Sequence, residues 1–86
     1  MTNFIINKKE YGMLWGVAKA LFDAAFTSIN CDHDAYRKAE EFQSKLFQLE
    51  WDDLVAPDDR AIYEDELTRE ELNMRMQLLA AIVYYI

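Results

Sequence analysis

From Tyr11 onward apolar residues return at three- and four-residue intervals: Tyr11, Leu14, Trp15, Ala18, Leu21, Phe22, Ala25 and Ile29. At 100° per residue they share an arc of about 140°, opposite Lys9, Gly12, Gly16, Lys19 and Asp23. The spacing predicts an amphipathic helix over about residues 8–28. Asn7 and Glu10 form a capping-box pair at its start, with Ile6 and Tyr11 at the flanking staple positions. The cap-forming run Thr27–Asp32 then reads as a turn.

A second helix is predicted over about residues 33–54. Ala39, Phe42, Leu46 and Leu49 form its main apolar stripe. Tyr36, Phe47, Trp51 and Leu54 form another, rotated by about 100°. Pro57 ends it, because proline disfavours a helical conformation in the residue before it. A short helical element is expected near 58–65. The third helix, about 69–86, opens on a second capping box, Thr68 with Glu71, stapled by Leu67 and Leu72. Leu72, Met76, Leu79, Val83 and Ile86 lie on one of its sides; Met74, Leu78, Ile82 and Tyr85 lie on another. A helix apolar on two sides is expected at the centre of the fold. The rival reading pairs Ile82–Ile86 as a terminal strand with Phe4–Ile6. The fold class is therefore all-α, a compact bundle of three main helices in one domain, with an extended N-terminal tip.

Eighty-six residues bury only roughly 60–65% of the surface of the extended chain, so this domain is marginal and gains from a partner. With 52% apolar and 14% aromatic residues it is nevertheless too hydrophobic for intrinsic disorder. A lone cysteine, Cys31, excludes an internal disulfide. The opening Met-Thr-Asn-Phe has no basic region or long apolar run, so no secretory leader is expected and a reducing, cytoplasmic home follows. The longest apolar run, Leu78–Ile86, is nine residues, against the ~20 of a membrane-spanning helix.

Charge changes the picture most. Ten of sixteen carboxylates fall between Glu50 and Glu71, and only Arg60 and Arg69 stand among them. The window thus carries eight net negative charges, while the rest of the chain is positive by one. Helix starts account for Asp58, Asp59, Glu70 and Glu71, since a helix N-terminus favours anions. Asp52, Asp53, Glu64, Asp65 and Glu66 have no such reason to gather without lysines between them. Ten like charges held together repel one another, which a mixed surface avoids. The alternatives are a solvated face that keeps the domain soluble and a surface built to meet a basic partner. The same acidity argues against direct contact with nucleic acid.

Trp51 sits at the edge of this window, four residues from Phe47. In so small a core it is expected to pack under Phe4–Ile6 or under the 55–67 connection. Its other reading is an interface anchor, as tryptophan dominates binding hot spots. Gly12, Gly16, Ala20 and Ala24 form a small-residue row along the first helix, a modest hint of close helix approach or homodimerisation. Cys31-Asp32-His33-Asp34 groups possible metal ligands, but zinc sites draw them from separated pairs and no second Cys or His exists. N-capping by Asp32 or Asp34 explains that cluster better. No metal, cofactor or catalytic residue is expected, and paired acids without a partly dry pocket do not make an enzyme.

The expected function is a small non-catalytic inhibitor or adaptor that presents carboxylates to the basic surface of a nucleic-acid-handling protein. Its partner-binding residues would be Glu50, Trp51, Asp52, Asp53, Asp58, Asp59, Glu64, Asp65 and Glu66. In size, charge and lack of motifs the chain resembles the anti-restriction and anti-CRISPR proteins of phages and mobile elements. The alternative is a structural helical module that forms a homodimer, or caps an assembly, through the glycine row or the second face of the third helix.

Overall fold

The computed structural model describes residues 4–27 and 33–85. Three helices carry the fold: α1 Lys8–Thr27, α2 His33–Trp51 and α3 Arg69–Tyr85, with a 3-10 helix at Glu64–Glu66 before α3. Both capping boxes form. The Asn7 N–H donates to Glu10 Oε1 at 2.9 Å, and the Glu10 N–H donates to Asn7 Oδ1 at 2.8 Å. Thr68 and Glu71 make the same reciprocal pair at 2.9 and 3.2 Å. Each satisfies donors that a helix start otherwise leaves without partners.

The helices run up, down and up. Tyr11 near the start of α1 bonds the end of α2, while Phe22 and Phe26 stack edge-on against Tyr36 near the start of α2. Arg75, early in α3, binds Glu10 early in α1, and Ala81 shares a cleft with Leu21. α3 is therefore parallel to α1. The result is 46 Å long and 19 Å across. Its core joins Leu14 and Ala18 of α1, Leu46 and Leu49 of α2, Leu78 and Ile82 of α3, and the fully buried Ile5 and Ile6. Burying a side chain such as either isoleucine is worth about 1.5–3 kcal/mol.

Phe4–Ile6 does not meet the end of α3. Instead the N-terminal segment runs parallel to residues 54–56: Ile5 N–H donates to the Leu54 carbonyl at 2.9 Å, and Ala56 N–H to the Ile6 carbonyl at 2.9 Å. An isolated Ile6–Val55 bridge is the only β-pairing among the described residues. α3 stays helical through Tyr85, so a strand over 82–86 is not formed; Ile86 lies outside the described residues.

Three further details differ from expectation. α1, not α3, is central, packing on both other helices while α2 and α3 barely touch. Met76 and Val83 of the first stripe of α3 face outward, and only its Leu79 packs against the core beside Leu78 and Ile82, so α3 offers a single buried side. α2 also stops at Trp51 rather than near 54. Asp53 takes the left-handed conformation, φ 60°, and its N–H donates to the Glu50 carbonyl while Leu54 N–H donates to that of Leu49. This is a Schellman ending, in which Leu49 and Leu54 both join the core. The short element expected near 58–65 is confined to the 3-10 helix Glu64–Glu66.

A candidate acidic docking end

Since α1 starts, α2 ends and α3 starts at the same end, the connection between α2 and α3 never leaves it. Asn7 fixes that connection. Besides capping α1, it donates from Nδ2 to the Arg60 carbonyl at 3.0 Å, and Lys8 N–H donates to the Asp58 carbonyl at 3.0 Å. Arg60 lies 5.5 Å from the centre of the Phe4 ring. All ten carboxylates of the 50–71 window thus share one end of the molecule with Glu10. Against these eleven stand Lys8, Lys9, Arg60, Arg69 and Arg75, a surplus of six of the chain's seven net negative charges.

The acids there are not equivalent. Asp58 receives Arg60 Nε at 2.7 Å and Nη2 at 3.0 Å, and this bonding holds its carboxyl below the ordinary 3.8. The same pair raises Arg60. Asp58 therefore braces its own loop. Glu50 accepts from the Tyr11 hydroxyl at 3.1 Å, and burial first of all, then the Glu50 carboxylate, pushes that phenol above 10.0. Asp52 accepts from Gln48 Nε2 at 3.0 Å. Glu64 Oε1 lies 3.8 Å from Arg75 Nε. Asp53, Asp59 and Asp65 enter no ion pair among the described residues.

Trp51 is 86% exposed, so it does not pack under the N-terminal segment. Ile5 and Ile6 take that space themselves, and the Schellman turn carries the chain away just after Trp51. Phe47, four residues earlier, is half exposed and meets Trp15 edge-on at 5.1 Å; Trp15 in turn meets Tyr11 at 6.1 Å. A row of aromatic rings thus climbs the α1–α2 seam toward the acidic end, with Trp51 beyond it in open solvent.

Arg75 is the residue that sequence reasoning passed over. It is 8% exposed and donates from Nη1 to the Ile5 carbonyl at 2.8 Å and to Glu10 Oε1 at 2.9 Å, and from Nη2 to Glu10 Oε2 at 3.0 Å. One guanidinium ties the N-terminal segment, α1 and α3 together. An arginine three residues before Leu78 and seven before Ile82, on the buried side of α3, was the available signal.

Gly12 and Gly16 face open space among the described residues: a Cβ at either position would meet nothing within 4 Å, so no described helix explains them. Among the described residues no group of acids, Cys or His is placed to hold a metal, and no helix is long and apolar enough to cross a membrane. Cys31 and Asp32 lie outside the described residues. The chain matches no family model, no curated protein and no solved structure.

Proposed function

We propose that this chain is a small non-catalytic inhibitor or adaptor of the cell interior, whose acidic end docks on the basic surface of a nucleic-acid-handling protein. The observation that supports this is the gathering of six surplus negative charges at one end of a 46 Å molecule, beside the 86%-exposed Trp51. Asp52, Asp53, Asp59 and Asp65 steer the encounter, with Glu50, Glu64 and Glu66 adding to the field, and Trp51 fills a pocket once contact is made. Asp58 shapes the loop that presents them. Such docking is fast and weakens steeply with salt. An anti-restriction or anti-CRISPR role is one setting in which these properties serve.

The test uses immobilised chain and a panel of purified DNA- and RNA-binding proteins. Retention at 50 mM salt, release by 0.5 M salt and displacement by duplex DNA are expected. Changing Asp52, Asp53, Asp59 and Asp65 to asparagine should abolish retention with helicity unchanged. Binding that persists in 1 M salt, or that ignores added nucleic acid, would remove the reading.

A further inference from the structure

Because α2 and α3 barely touch, an open groove runs between them over a floor supplied partly by α1. It holds two depressions of about 260 and 460 Å³ that share Phe42 and Lys45. Leu49, Leu54 and Leu78 lie in one, Leu21 and Ala81 in the other. The α2 rim of the second carries Asp34, Lys38, Glu41 and Lys45, all exposed or partly so. At four-, three- and four-residue spacing these form a straight stripe of alternating sign. Lys38, Glu41 and Lys45 make no ion pair with one another or with any described residue. The α3 rim is uncharged, for Met76–Ile86 contains no acidic or basic residue.

We infer that this groove seats α2 of a second copy of the chain, antiparallel, about a two-fold axis between residues 39 and 40. In that register Lys38 faces Glu41 of the second copy and Asp34 faces Lys45, and each pair occurs twice by symmetry. A parallel pairing would set like on like. The occupant follows from charge: two copies carrying −7 each repel where their acidic ends meet, but this stripe is neutral, lies away from that end and matches its own reverse. A long side of the molecule measures 46 by 19 Å, room for the roughly 800 Å² per partner of a standard interface. The antiparallel arrangement also sends the acidic ends apart. At 1.5 Å per residue the two Asp52 positions lie about 37 Å from each other along α2, several times the ~8 Å screening length. The dimer then offers two docking ends at once, while the pairing itself does not depend on what those ends bind.

Sedimentation equilibrium of the whole chain from 5 to 200 µM tests this. The wild type should dimerise, and K38E and E41K should each weaken self-association at least about tenfold, because both create like-charge pairs. An equimolar mixture of K38E and E41K should recover association, with native mass spectrometry reporting the mixed dimer over either homodimer. A wild type monomeric at 200 µM overturns the inference. So does a dimer indifferent to K38E, or a mixture that stays monomeric; circular dichroism confirms that each exposed-site variant is folded. These residues lie outside the acidic end, so partner docking is scored separately on the same variants.

Discussion

Replacing Arg75 with alanine removes a cation that links three parts of the core. Its guanidinium makes both of Glu10's charge-assisted bonds at 2.9 and 3.0 Å and satisfies the Ile5 carbonyl at 2.8 Å. The two side chains are only 10% and 17% exposed, so water compensates little. Breaking a buried pair by deleting one partner costs about 3–5 kcal/mol, because the remaining charge stays buried without its counter-ion. A domain of this size has on the order of 4–13 kcal/mol in total. R75A should therefore lose a large share of its stability, and its melting temperature should fall by at least about 12 °C. Urea titration followed by circular dichroism measures the loss. One control separates charge from packing. E10Q placed on R75A should restore about 1–2 kcal/mol, since a neutral amide costs less to bury than a carboxylate. A loss below about 1 kcal/mol, or no relief from E10Q, would refute the reasoning.

Other perturbations read other parts of the structure. Glycine suits the left-handed position of Asp53 better, and a carboxylate at the negative end of α2 is unfavourable, so D53G should gain about 1 kcal/mol and raise the melting temperature by about 4–8 °C. D53N should gain only the smaller charge part; a destabilised D53G would show that the Schellman turn is not formed. R60A should return the Asp58 carboxyl to about 3.8, seen by NMR titration. Because that carboxyl is held low in the folded chain, whatever the pair contributes is complete above pH 3.8 and lost as pH falls through the lowered value, and R60A should abolish this acid-side dependence. W51A should change stability by no more than about 0.5 kcal/mol while weakening partner binding by about 2 kcal/mol or more. A strongly destabilised W51A would mean that the ring packs after all.

Local rules carried most of the fold. Asn7/Glu10 and Thr68/Glu71 placed two helix starts to the residue, because a capping box is a contact between neighbours in sequence. The Ala39, Leu46 and Leu49 stripe was legible for the same reason. The end of α2 was not, since Asp53 does the work usually left to glycine and the visible breaker, Pro57, lies four residues further on. The central helix was misplaced because periodicity counts apolar positions and cannot tell which stripe meets a neighbour. Pairing of Ile5 and Ile6 with residues 54–56, and the reach of Arg75 to Glu10 across 65 positions, are long-range choices that no local pattern encodes.

The same distinction applies to the acidic end. That the carboxylates crowd in sequence was plain; that they also share a place in space depended on α1 and α3 being parallel. What favours function over solubility there is a conflict with stability. Glu50, Asp52 and Asp53 stand at the negative end of α2, whose last turn contains no basic residue to offset them. Each exposed charge on the wrong side of a helix dipole costs about 0.3–1 kcal/mol. Asp53 adds the strain of a left-handed backbone that glycine would relieve. A surface arranged for solubility alone has no reason to accept these penalties at the only helix end they oppose, because carboxylates placed at the starts of α1 and α3 keep a domain equally soluble while stabilising it. If charge neutralisation at 50, 52 and 53 raises stability and lowers partner affinity together, the two demands are in opposition at these residues. If it raises stability and leaves every interaction intact, the acidic end has no docking role.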